Sequence, residues 1–254
     1  MAVRGAVGEA LHGHVSAYHG FLEETEAPVS RREGPGSHVV LLISFGEGWT
    51  IDGDRLCSFV GGLRNCQVET RHEGRSHGIH VDLTPPAAHR IFGLPLHELA
   101  ERQVPLEEVL EEPFLAERLH DLGEWEARFR LLDDVLTRRL AGAASPEIAW
   151  AWTRLVETDG AVPIGDLTRE LGWSRKRIVG RFREEIGLPP KRAAKLLRFE
   201  RARALAESAA PRPEWAWIAR AAGYYDQSHL INDFRAVTGR TPETFFQDTF
   251  VSAA

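Results

Sequence analysis

Cysteine, lysine and long apolar runs are all scarce in this chain. With two cysteines, Cys57 and Cys66, there is neither a disulfide framework nor zinc-finger spacing, and packed or half-exposed thiols are expected. No apolar run reaches the roughly 18 residues that a membrane-spanning helix needs. Glycines, His and Glu interrupt the N-terminal stretch MAVRGAVGEALHGHV before a signal-peptide core can form, so a cytoplasmic location and no membrane partner are expected. Gly-rich phosphate loops and Ser/His/Asp groupings tied to a turn are also missing, and no enzyme is expected. Lysine supplies only three of the 31 basic residues. The other 28 are Arg, which can grip phosphate or guanine at two points.

What is present is ordinary globular composition, 43% hydrophobic and 27% charged over 254 residues, enough for two cored domains. The net charge of −6 is unevenly spread. Residues 146–254 hold 17 Lys and Arg against 14 Asp and Glu, whereas the remainder holds 14 against 23. Between Arg175 and Arg203 there are 11 basic and 3 acidic residues. This asymmetry fits a back half that meets phosphates, against the plainer reading of a solvated helix surface.

Residues 15–83 have strand character. The run from His38 to Phe45 fits a buried strand, and weaker strands are expected at 15–23, 55–60, 66–71 and 76–83, forming a barrel or sandwich. Short helices are expected next, at 86–92, 95–101, 105–111 and 113–121. Over 124–141, Trp125, Phe129, Leu132, Leu136 and Leu140 form one apolar stripe, either packed on the β unit or used as a dimer contact. The linker is expected at Ala141–Pro146. The fold class is therefore α+β: a β-rich N-terminal domain with trailing helices (1–145), then an all-α domain (146–254).

The last ninety residues contain one motif twice, 52 positions apart. Ser174, Ile178, Phe182, Gly187 and Pro190 correspond to Asp226, Leu230, Phe234, Gly239 and Pro242. Upstream the offset is 51, pairing Ile164, Leu167, Leu171 and Gly172 with Trp215, Ile218, Ala222 and Gly223, so one extra residue falls in the second turn. Each copy reads as a helix, a glycine turn, a second helix with a polar face and a Gly-x-x-Pro stop, that is, a helix-turn-helix. The units span about 162–187 and 214–239. A helix over about 190–208 joins them, a rod of roughly 27 Å against about 34 Å per turn of B-DNA.

In the first unit Ser174 is the expected N-cap and Ile178 and Phe182 face inward. Arg175, Lys176, Val179, Gly180 and Arg183 then turn outward toward a major groove. In the second, Asp226 caps, Leu230 and Phe234 anchor, and Gln227, Ser228, His229, Asn232 and Asp233 lie on or beside the outer face, with Arg235 just beyond. Gln and Asn suit adenine, Arg and Lys suit guanine.

The block from Ile218 through Gly223, Asp226, Ser228, Leu230 and Phe234 to Gly239, Pro242 and Phe245 resembles the signature of AraC/XylS-type transcription regulators. The resemblance covers about 150–247. It implies a DNA-binding domain of two helix-turn-helix units on a central helix, and a variable N-terminal domain for sensing or dimerisation. The implied partners are double-stranded DNA, RNA polymerase, a small-molecule effector and a second copy of the chain. Residues 15–141 resemble, more loosely, a β-rich regulatory domain of that family. Gly180 and Asn232 depart from the pattern, which often has Arg at both positions, and Arg181 is the expected substitute for the first contact.

Two other classes are weighed. Ten of the eleven histidines lie in the N-terminal half, including His38, His72, His77, His80 and His89. His77 and His80 sit three apart, which places them on opposite faces of a strand, and no ligand spacing recurs; no metal or cofactor is expected. An alkyl-accepting repair domain would need a reactive cysteine, and neither Cys57 nor Cys66 has an adjacent base or cation apart from Arg64.

Overall fold

A computed structural model describes residues 1–140, 145–209 and 212–251 of the chain; most of the expected linker lies outside them. The N-terminal part is one antiparallel sheet. Its strands are β1 (Ala2–Gly5), β2 (Val15–Glu33), β3 (Val39–Ser44), β4 (Trp49–Ile51), β5 (Asp54–Leu56), β6 (Phe59–Gly61), β7 (Val68–Leu83) and β8 (Gln103–Pro105). The order is β1-β2-β7-β3-β6-β8, with the β4–β5 hairpin on the far half of β7. The path is open, with β1 and β8 at its ends, rather than a closed barrel.

The expected strands at 66–71 and 76–83 are a single strand, continuous through Gly74 at φ +72°. Its partner β2 runs ten residues past the expected end at 23, with a bulge between Thr25 and Val29 that accommodates Pro28. Inward-facing Tyr18, Leu41, Ile43, Ile79 and Val81 are fully buried. They supply the apolar filling between sheet and helices.

Helices α1 (Pro85–Phe92), α2 (Leu106–Val109), α3 (Leu115–Asp121) and α4 (Trp125–Arg139) close that face. Residues 96–98 form only a single 3-10 turn where a helix over 95–101 is expected. On α4, Phe129, Leu132, Val135 and Leu136 are buried in the chain's own core, so the apolar stripe packs on the sheet and is not left for a dimer. Two glycines make this docking close. A Cβ at Gly20 would lie 2.4 Å from the Trp125 ring, and one at Gly5 would lie 2.6 Å from Phe129.

Beyond the linker come α5 (Pro146–Glu157), α6 (Ile164–Leu171), α7 (Arg175–Glu185), α8 (Pro190–Ser208), α9 (Trp215–Ala221), α10 (Gln227–Thr238) and α11 (Pro242–Val251). The hydrophobic core does not stop at residue 145. Ile148, Trp152, Leu155, Leu167, Ile178, Phe182 and Leu197 belong to the same cluster as the sheet. A second cluster begins at Phe199 and gathers Ile218, Tyr224, Leu230, Phe234 and Phe246. The 19-residue helix α8 therefore carries one core on its first half and another on its second. No helix among the described residues is long and apolar enough to cross a membrane.

Candidate nucleic-acid interface

The two repeats fold with the same local chemistry. In the first, Gly172 adopts φ +63°, and the amide of Trp173 donates to the carbonyl of Thr168 at 3.0 Å. In the second, Gly223 adopts φ +74°, and the amide of Tyr224 donates to the carbonyl of Ala219 at 2.8 Å. Both are left-handed glycine stops that satisfy a carbonyl of the last helical turn. The reading helices are capped alike. Ser174 Oγ accepts from the Arg177 amide at 3.2 Å, and Asp226 Oδ1 accepts from the His229 amide at 2.7 Å.

A further correspondence is tertiary. The Arg177 guanidinium sits 4.2 Å over the Trp173 ring, and the His229 ring meets Tyr224 edge-on at 5.2 Å. In each unit the residue after the turn glycine thus supports the third residue of the reading helix. Arg177 is a residue that helical periodicity alone does not select; the aromatic placed four positions ahead of it is the available signal.

Ile178, Phe182, Leu230 and Phe234 are fully buried, which fixes the rotation of α7 and α10. As a result Arg175, Lys176, Gly180 and Arg183 are exposed on α7, and Gln227, Ser228, His229, Asn232 and Arg235 are exposed on α10. Neither outer face is covered by the sheet. Nothing lies within 4 Å of a Cβ built on Gly180, so that position is an open gap in the outer face. Val179 is half-buried and packs against the large core.

Two expectations are corrected. Asp233 is 8% exposed and pairs with Lys195 of α8 at 3.0 Å; it ties α10 to its spacer and faces inward. Arg181, the expected substitute for a cation at 180, is bound to Glu184 at 3.0 Å and to Glu185 at 2.6 Å. Glu185 is 1% exposed and also accepts from the Ser145 amide at 3.0 Å. Its carboxyl is pushed up by burial, against the opposing pull of that amide and Arg181. Arg181 offsets a buried carboxylate at the foot of α7, and its guanidinium is drawn away from the outer face.

The other candidate residues are spread over the N-terminal part of the chain. His77 lies on the core side of β7, 8% exposed, its pKa lowered to about 4 by burial and by Arg128, Arg75 and His120. His80 is on the opposite face, where its Nε2 and that of His19 lie 3.1 and 3.6 Å from Asp82. Cys57 and Cys66 are both exposed, where packed or half-exposed thiols are expected. Burial and then Glu101 push the Cys66 thiol up, the wrong direction for a nucleophile.

Residues 167–248 match the family model described as a helix-turn-helix domain. Solved structures similar to the whole chain include ToxT from Vibrio cholerae, 8% identical, covering 92% of this chain and 98% of that one with a TM-score of 0.49. Unsaturated fatty acid bound wild-type ToxT from Vibrio cholerae strain SCE256 is 9% identical, with 90% and 94% covered and a TM-score of 0.46. The AraC-like transcriptional activator CuxR is 14% identical, with 81% and 87% covered and a TM-score of 0.32. No curated protein matches the sequence.

Proposed function

We propose that the protein is a sequence-specific, double-stranded-DNA-binding transcription regulator. The observation that carries this reading is the pair of helix-turn-helix units, closed and capped by the same kinds of contact, whose reading helices keep their polar faces free. Lys176 and Gln227, near the N-terminal ends of α7 and α10, are the foremost base readers, for guanine and adenine respectively. Arg175, Arg183, Arg235 and the half-buried Val179 frame them, together with Ser228, His229 and Asn232. Selection of duplexes from a random pool with the full-length protein tests this. Lys176→Ala and Gln227→Ala should each weaken binding to the selected duplex by about 1–3 kcal/mol and relax the preferred base at one position. Equal losses on selected and scrambled duplexes would reduce them to backbone contacts.

The sheet-bearing half is the sensing or pairing half in this proposal, and a cleft favours sensing. A cavity of about 430 Å³ opens where the sheet meets α5, lined by His14, His38, Arg90, Trp152 and Val156 among others. An occupant would touch α5, and α5 shares its core with α7, so binding there would bear on the first reading unit. Ligand-dependent thermal stabilisation of the full chain, removed by Trp152→Ala, is the expected result. A second copy of the chain and RNA polymerase are the further partners of this reading, to be tested by sedimentation and by transcription in vitro.

A further inference from the structure

The two units differ by one residue, and the backbone shows which one it is. Trp173 and Tyr224 make the same hydrogen bond five residues back and the same ring contact to the third residue of the reading helix, so they are equivalents. Ser174 and Asp226 are equivalents as caps. The residue inserted between them in the second unit alone is therefore Tyr225. Its exposure is 91%, the highest of the large apolar side chains among the described residues, while its neighbour Tyr224 is 4% exposed in the core. Among the described residues Tyr225 has no hydrogen bond or ring contact, so no task within the fold accounts for it.

Its surroundings point to a partner. Tyr225 immediately precedes the cap of α10 and stands beside exposed Gln227 and Ser228. The first turn of α7 has Arg175, Lys176 and Arg177, but the first turn of α10 has no Lys or Arg, and the Asp226 carboxylate beside it repels phosphate. A neutral hydroxyl can still donate to a phosphate oxygen there, and a ring can cover the sugar edge. Resting on the DNA-binding reading above, we infer that Tyr225 is a DNA-contacting residue of the second unit, its hydroxyl donating to a phosphate on the wall of the groove that α10 enters.

The test uses the full-length protein and a duplex selected from a random pool, with Tyr225→Phe, Tyr225→Ala and Gln227→Ala compared. A hydrogen bond to a charged acceptor is lost in Tyr225→Phe, which should weaken binding by about tenfold. The factor should be the same on scrambled duplex, because a phosphate contact is blind to sequence. The slope of affinity against salt should stay unchanged, since no cation is removed. Methylphosphonate replacement of single phosphates should find one position at which parent and Tyr225→Phe bind equally. Parental affinity in both Tyr225 variants, with Gln227→Ala still weakened, would overturn this role and leave DNA binding intact. If no duplex is selected and bound by the parent, both fall.

Discussion

The two reading helices are unequally charged, and the difference sets an expected salt dependence. Setting Lys176 aside as a base reader, α7 presents Arg175, Arg177 and Arg183 on its exposed side, whereas α10 presents Arg235 alone. Each cation placed against a phosphate adds about −0.9 to the slope of log affinity against log salt. Three such contacts give about −2.7, so raising salt from about 50 to 200 mM costs the first unit about 40-fold and the second only about three- to fourfold. Fluorescence anisotropy over a salt series reads this directly. Replacing the three arginines by Gln should flatten the slope by about 2.7, and Arg235→Gln by about 0.9. Asn232→Ala should leave the slope alone while lowering affinity for the selected duplex. A parental slope shallower than about −1.5, or one indifferent to the triple change, would refute the division of labour between a charged anchor and a neutral reader.

Gly180→Ala should stabilise the protein by up to about 1 kcal/mol, because an exposed helical glycine is replaced where the space is open; a rise of about 2–4 °C in thermal midpoint would show it. Gly20→Ala should destabilise by about 1–3 kcal/mol, since its Cβ meets the Trp125 ring, and urea unfolding measures that. His77 has its folded pKa lowered to about 4 from the ordinary value of 6.5. Its contribution is thus complete above the unfolded value and is lost as pH falls from about 6.5 toward about 4. Urea midpoints across that window should fall, and His77→Gln should flatten them. Phe182→Ala should cost about 3–5 kcal/mol and expose the sheet region together with α7, as monitored by hydrogen exchange in both.

The parts of the fold legible in sequence are those set by short-range chemistry. Gly172 and Gly223 declare their turns because a left-handed backbone favours glycine. Ser174 and Asp226 declare the caps, and the spacing of Ile178 with Phe182 orients the helix. The illegible parts depend on distant partners. Asp233 reads as a surface residue until Lys195 is placed beside it from another helix, and Arg181 reads as a free cation until Glu185 is known to be buried under it. The long β2–β7 ribbon is broken up in sequence by Gly74, Pro28 and its charged outer half, because exposed pairing leaves little apolar alternation. The cleft at α5 draws its lining from several separate stretches of chain, so no local pattern announces it.

The division of α8 between two apolar clusters has an evolutionary and practical corollary. Severing the polypeptide near position 145 would strip the anterior reader of the surface against which Ile178 and Phe182 are seated, and a transplanted posterior half would arrive with one sound reader and one frayed. Recombination that preserves function is expected to exchange everything ahead of Phe199 as a block, or only the stretch from Phe199 onward. Whatever couples to the anterior block moves one reader with it, leaving the other to trail on the end of a rod.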